Sequence, residues 1–339
     1  MDLSKCRYIS CAGGGSRGIM YLGAISALEQ HLKVETDGVD FSEFVSRLRG
    51  TAGTSIGALA ALSLLLGLST QDLYPLMIPI YESFRNIAPR PDITSLISNY
   101  GLDNGNELRS LVRGVLQLGC ISGDITFKDM YRLLKREFVC CASNLHTHEV
   151  KYFNAQNTPE VKVVDAVYMS MTIPFVFVPH RYNGELYVDG ALTHNIPQCF
   201  DPLETLFFTF ETSERRIQIE NLSDFLQSLC GFSQDALPVD SCHTIRMELP
   251  IMLLNEPTIN FSTRATGSGF DRRIACGYAS ALNLIRPNFF KTVEVVIEAV
   301  FHCLRNQKTD VDEEYNSFCA SELVSDQYIE KGEQTKFQK

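Results

Sequence analysis

A short apolar run, CRYISCA over residues 6–12, opens the chain, and its Tyr8 and Ile9 suit a strand. After the turn GGGSRG the pattern changes. Ile19, Leu22, Ile25, Leu28 and Leu32 recur at steps of three and four residues, the mark of an amphipathic helix. The glycine turn therefore joins a strand to a helix N-terminus, where free N–H groups and the helix dipole favour negative charge. A second segment, VSRLRGTAGTSIGALAALSLLLG, repeats this layout. A run ending at Ala52 enters a tight turn, and an Ala/Leu helix continues to a glycine stop at Gly67. STQDL then offers a Ser/Thr cap for another helix. Two strand–turn–helix units in series predict βαβ architecture and a mostly parallel sheet.

Farther along, Pro75, Pro79, Pro89 and Pro91 divide the chain into short helices and loops. Residues 106–118 read as a helix, and FVCCASNL with VKYFNA as a strand pair. VKVVDAVYMSMTIPFVF runs from a strand or loop into a helix that Pro174 ends. ELYVDGALTHNIP is a strand leading into a turn, and TLFFTFE a buried strand. Beyond Glu211, helices alternate with polar stretches; VEVVIEAVFHCL is the strongest of them, and the last residues are polar. No internal repeat or low-complexity block interrupts the chain.

Bulk numbers narrow the function. Of the 339 residues 45% are hydrophobic and 21% charged, ordinary globular composition with material for a sizeable core. A net charge of −10 argues against nucleic acid and against simple electrostatic adhesion to anionic membranes. The eleven cysteines include an adjacent pair, Cys140 and Cys141, but no C-x-x-C. That pattern is neither a disulfide framework nor a zinc site, and suits buried small hydrophobes in a reducing compartment. MDLSKCRYISCAGG has no long apolar core, and Ile56–Leu68 is too short an apolar run to span a bilayer. The expectation is an intracellular, cytoplasmic protein whose membrane contact is peripheral.

Three turns carry the chemistry. Gly13, Gly15 and Gly18 satisfy G-x-G-x-x-G, a spacing that suits a dinucleotide, a lipid phosphate or a transient oxyanion. GTSIG at residues 53–57 is a G-x-S-x-G, with Ser55 at a strand-to-helix turn. Composition alone gives such a match in roughly one chain in ten of this length, so its placement matters more than its presence. The plainer reading is a Ser N-cap. A serine nucleophile needs a base, and Asp189 in YVDGAL stands where a short apolar strand meets a loop. Its plainer reading is an ordinary Asp-Gly turn.

Together, and in this order, the three turns resemble the patatin-like phospholipase family. The resemblance maps a G-G-G-x-R/K-G oxyanion loop onto Gly13, Gly14, Gly15, Ser16, Arg17 and Gly18. It maps the nucleophile elbow onto Gly53, Ser55 and Gly57, and the D-G-G/A aspartate onto Asp189, Gly190 and Ala191. AVYMSMTIPFVF is similar to the family's A-x-x-A-S-x-A-I-P-x-x-F, THNIP to its N-x-P ending, and FVCCASNLHTHEVKYF to its preceding strand pair. The match covers about residues 6–212. Departures are Ala12, Ala191, and Met169, Met171 and Thr172 around Ser170. They bear on the acyl pocket more than on the nucleophile or base.

The resemblance implies an α/β, three-layer fold with a central, mostly parallel sheet over 6–212, followed by a largely helical extension over 213–339. It implies hydrolysis of acyl esters of phospholipids or other lipids by a Ser55–Asp189 dyad, without metal or cofactor. Backbone N–H groups around Gly14, Gly15 and Ser16 would hold the oxyanion, and Arg17 would add a positive charge or lock the loop. A lipid ester is the expected partner, met at a membrane or lipid-droplet surface; the oligomeric state is left open. Three other readings stand beside it. A Rossmann enzyme would use Glu35, Asp37 or Asp40 on a ribose. An α/β-hydrolase triad would recruit His194, His243 or His302. A catalytically silent lipid-binding scaffold would keep the same fold.

Overall fold

The computed structural model describes residues 3–35, 40–77, 93–210, 243–247 and 268–285. Its centre is an eight-stranded sheet in the order β10-β9-β1-β2-β4-β8-β7, with β5 paired to β4. The strands are β1 (Tyr8–Cys11), β2 (Gly50–Thr54), β4 (Glu137–Asn144), β5 (Val150–Phe153), β7 (His180–Tyr182), β8 (Glu185–Asp189), β9 (Thr205–Phe210) and β10 (His243–Met247). β10, β9, β1, β2 and β4 run parallel; β5, β8 and β7 are antiparallel to their neighbours. A separate parallel pair joins β3 (Gly101–Asp103) to β6 (Phe175–Phe177). The fold is therefore α/β with a central, mostly parallel sheet.

The two predicted strand–turn–helix units are present. β1 leads through a 3-10 turn, Gly15–Ile19, into α1 (Met20–Glu35). α2 (Phe41–Ser46) is capped by Asp40, which accepts the Glu43 N–H at 2.7 Å. β2 feeds α3 (Ile56–Leu65), two residues beyond the expected strand end at Ala52. Every residue of α3 from Gly57 to Leu65 is buried, which fits a helix apolar on all sides. The expected cap in STQDL takes the form of a capping box: Ser69 N–H donates to Asp72 Oδ2 and Asp72 N–H to Ser69 Oγ, at the head of a helix over 70–77. Pro79, Pro89 and Pro91 lie outside the described residues.

After α4 (Ile93–Asn99) comes α5 (Asn106–Leu118), with the bounds its periodicity predicts; it buries Leu108, Leu111, Val112, Val115 and Leu116. α6 (Phe127–Leu134) is capped by Thr126. α7 (Val163–Met171) packs on β4 and β8 and ends before Pro174, as read from the sequence.

Of residues 213–339, expected to be a mostly helical extension, two elements are described, and both join the main body. β10 extends the sheet beside β9, and α8 (Ser268–Ile285) packs along α1 and against β10. The helix read in VEVVIEAVFHCL and the polar tail lie outside the described residues. Cys6, Cys11, Cys140, Cys141 and Cys276 are buried, whereas Cys120 and Cys199 are exposed.

Candidate active site

Ser55 is the first residue past β2 and stands in a backbone conformation that side chains rarely adopt, φ 55° and ψ −131°. Such strain costs on the order of 1–3 kcal/mol and persists only where the surroundings fix it. Here two glycines do so. A Cβ on Gly53 would strike the Gly57 carbonyl, and one on Gly57 would strike the carbonyls of Cys11 and Ala12. The elbow is thus wedged between its own helix and the end of β1. The Ser55 N–H donates to Ser170 Oγ at 2.8 Å, so α7 holds the elbow from a third side.

Asp189 arrives from the end of β8, two strands away from β2. β8 pairs with β4 in a register that sets Asp189 against Ala142, while Thr54 lies against Cys141 on the other edge of β4. This register brings the two side chains together: Ser55 Oγ donates to Asp189 Oδ2 at 2.6 Å. The other carboxylate oxygen accepts the Ala191 N–H at 2.9 Å. The Asp189 backbone is held at both ends, its N–H by the Thr172 carbonyl and its carbonyl by Ser143 Oγ, each at 2.8 Å. The aspartate is 2% exposed. Burial pushes its pKa from the ordinary 3.8 up to about 6, against the lowering effect of the Ser55 and Ala191 hydrogen bonds.

The glycine loop lies against this pair. A Cβ on Gly13 would sit 3.2 Å from Ser55 Cβ. The Gly13 N–H itself is committed to the Asn195 carbonyl at 3.0 Å, which leaves it unavailable as an oxyanion donor. The Gly14 carbonyl accepts from the Arg17 N–H at 3.0 Å and from Arg17 Nε at 3.5 Å. In a trans peptide the carbonyl and the next N–H point in opposite directions, so the Gly15 N–H is turned away from Arg17. Arg17 also stacks over the Phe210 ring, 4.8 Å from its centroid. Of its two expected roles, the contacts favour locking the loop. Burial lowers its pKa to about 10, a value at which it stays cationic at neutral pH.

Several residues in this assembly carried no role in the sequence reading. Ser170 and Asn195 stand inside quoted motifs, Ser170 at the serine of the A-x-x-A-S resemblance, with no role attached to either. Phe210 reads only as part of the buried strand TLFFTFE, and Arg273 gives no signal. Of the residues considered for a Rossmann site, Asp40 caps α2, and Asp37 and the Glu35 side chain lie outside the described residues. His194 meets the site through its backbone carbonyl, which accepts from Thr54 Oγ1 at 3.2 Å, and its ring packs edge-on to Tyr152. His243 opens β10, level through Leu206 and Ile9 with Thr51, below the elbow. His302 is outside the described residues.

Comparison with known proteins bears on the family and the fold. An uncharacterized protein, R571, of Acanthamoeba polyphaga mimivirus is 23% identical over 239 residues, 67% of this chain and 75% of its own length. A probable lipid hydrolase, 463L, of Invertebrate iridescent virus 6 is 24% identical over 55% of this chain and 60% of its own. A cGAMP-activated phospholipase of Escherichia coli (strain TW11681) is 26% identical over 66% of this chain and 63% of its own. The chain thus spans less than two thirds of the latter two proteins. Among solved structures, VipD from Legionella pneumophila shares the fold with a TM-score of 0.51 at 17% identity, over 84% of this chain and 67% of VipD. The family model for patatin-like phospholipases matches residues 9–198, more than half of the sequence and all three of its motif turns, and the chain belongs to that family.

Proposed function

We propose that this lipid acyl hydrolase cleaves its ester with Ser55 as nucleophile and Asp189 as the base. The observation that carries the reading is the direct 2.6 Å hydrogen bond from the Ser55 hydroxyl to a buried carboxylate, on an elbow held in a strained conformation. Asp189 takes the hydroxyl proton as Ser55 Oγ attacks the ester carbonyl. The protonated carboxyl then gives that proton to the departing alcohol, leaving an acyl-serine. Water, deprotonated by the same carboxylate, attacks the acyl-serine and releases the fatty acid. A carboxylate is a weak base in water, and burial supports its task by raising its basicity. The tetrahedral oxyanion is assigned to the N–H groups of Gly14, Gly15 and Ser16, where losing one good donor costs about 3 kcal/mol in the transition state.

The substrate class follows from what adjoins the elbow. An apolar cavity between α1, α3, α5 and the helix over 70–77 is lined by Gly18, Ile56, Leu59, Ala60, Leu111 and Val115, among others. Gly18 closes the glycine loop and Ile56 directly follows Ser55, so the cavity starts one residue from the nucleophile. Its lining suits an acyl chain. Ser63 also faces it, but the Ser63 hydroxyl is spent on the Leu59 carbonyl at 2.9 Å.

A lipid surface is the proposed place of work. Ile97, Tyr100 and Phe175 are 74%, 59% and 44% exposed and lie around the β3–β6 pair, where Gly101 registers with Phe175. Tyr100 and Phe175 are both held at positive φ, 63° and 66°, an uncommon state for aromatic residues. Strain that keeps two aromatic side chains in solvent supports apolar docking. Phe175 is three residues from Thr172, whose carbonyl holds the Asp189 N–H, so this surface adjoins the site. In this reading residues 6–212 carry the reacting groups, and 213–339 contribute the flanking β10 and α8. The decisive experiment is a panel of phospholipids and neutral lipids incubated with wild type and Ser55→Ala and read by mass spectrometry. Fatty acid release by wild type alone supports the reading; equal release by Ser55→Ala ends it.

A further inference from the structure

Arg273 lies in α8, 75 residues past the end of the segment that matches the family, yet it is 1% exposed and reaches the glycine loop. Its Nη1 donates to the Ser16 carbonyl at 3.3 Å and to Ser16 Oγ at 3.1 Å. Two glycines set the helix crossing that brings it there. A Cβ on Gly23 of α1 would meet the Ile274 carbonyl, and a Cβ on Gly277 of α8 would meet the Met20 carbonyl. The two backbones therefore touch at the first turn of α1, and the residue before Ile274 is delivered to the 3-10 turn that precedes that helix.

Burying a guanidinium is costly unless it is hydrogen-bonded, and an aliphatic side chain would fill the same space without that cost. The charge thus has a use beyond filling space, and its hydrogen bonds to Ser16 direct it at the loop. Arg17 grips the carbonyl of Gly14 and Arg273 that of Ser16, so two cations hold two carbonyls of one five-residue stretch. The proximity is also electrostatic: Arg273 is among the influences that lower the Arg17 pKa, after burial.

We propose that Arg273 is a positioning residue for the oxyanion loop, fixing the Ser16 peptide from α8 so that the loop N–H groups face the ester carbonyl. The inference rests on the Ser55–Asp189 reading and extends the active-site machinery to a helix outside the family's matched segment. Because it acts on the loop that meets the transition state, its loss lowers kcat and leaves KM in place.

The test uses the full chain and p-nitrophenyl butyrate. Arg273→Met keeps bulk and removes the charge; Arg273→Lys restores a cation with one point of contact. We expect kcat to fall about tenfold or more in Arg273→Met, short of the roughly 100-fold or greater loss of a whole oxyanion donor. KM should stay within about twofold and Arg273→Lys should recover part of kcat. A folded Arg273→Met with wild-type kcat, or one whose loss is entirely in KM, overturns the inference. If that variant fails to fold, Ser16→Ala, which deletes only the hydroxyl, decides: a lowered kcat supports the proposal and an unchanged one overturns it. A fluorophosphonate probe separates the two layers. Wild type left unlabelled at Ser55 ends the dyad reading itself, whereas labelling with an unaffected Arg273→Met ends only this inference.

Discussion

The hydroxyl of Ser55 donates straight to Oδ2 of Asp189, with 2.6 Å between the oxygens and no imidazole interposed. On the proposed dyad reading, this relationship makes the aspartate itself the titrating base. Its folded pKa, about 6, lies above the ordinary 3.8, because burial opposes the charged form. Only the deprotonated carboxylate can take the proton, so kcat/KM should fall about tenfold per pH unit below pH 6. Stability runs the opposite way. Below pH 3.8 the group is protonated in both the folded and unfolded chain and contributes nothing. Between 3.8 and about 6 the folded chain holds the extra proton, so stability declines as pH rises, and the loss is complete above that window. The full displacement corresponds to about 3 kcal/mol. Asp189→Asn keeps an acceptor for Ser55 but cannot become a base. Hydrolysis should disappear while Tm at pH 7 rises, and the rise should vanish near pH 3.5. Thermal melts of the two proteins across pH, beside ester assays, measure both halves.

The histidines should be dispensable. His194 is engaged through its main chain, and its ring faces Tyr152. His243 begins β10, on the far side of β9 and β1 from the elbow strand. His194→Ala, His243→Ala and His302→Ala should each retain activity within about tenfold, a change of no more than roughly 1.4 kcal/mol. A folded histidine variant as inactive as Ser55→Ala would falsify the dyad and restore a triad.

What the sequence reveals and what it hides divide along contact range. The elbow and the Asp-Gly turn are local: GTSIG and YVDGAL each place their functional residue by a few neighbours. α5 is equally legible, since its five buried apolar residues fall at helical spacing. β6 and β7 are three residues each, too short for alternation to register, and β10 alternates only partly at a sheet edge. The groups that hold the site are the least visible. Ser170 is 115 positions from Ser55, and Arg273 is 257 from Ser16. A buried polar residue advertises that it needs a partner without saying which one.

Docking through Ile97, Tyr100 and Phe175 should be apolar in character, since the chain carries a net charge of −10. Flotation with phosphatidylcholine vesicles should survive high salt, because screening weakens charge attraction and leaves apolar burial intact. The pair Ile97→Glu and Phe175→Glu should weaken flotation and lower the ratio of vesicle to soluble-ester hydrolysis. Binding that collapses at modest salt, or is indifferent to the two glutamates, would contradict this docking face.

The acyl cavity yields a specificity prediction. Its wall on α3 runs from Ile56 to Ser63, seven residue steps, or about 10 Å of helix. A chain entering beside Ser55 would run along this wall, each methylene being worth about 0.8 kcal/mol when buried. Ala60 faces this space at mid-length, one turn past Ile56. Ala60→Phe should fill it and exclude the distal part of a long chain while leaving the elbow untouched. Losing three methylenes of burial amounts to about 2.4 kcal/mol, so the kcat/KM ratio of decanoate to butyrate p-nitrophenyl esters should fall about fifty-fold. Leu111→Phe, on the opposing α5, should act in the same direction from the other wall. A chain-length profile identical to wild type in both folded variants would mean that the acyl chain lies elsewhere, although Ser55 and Asp189 could still perform the chemistry.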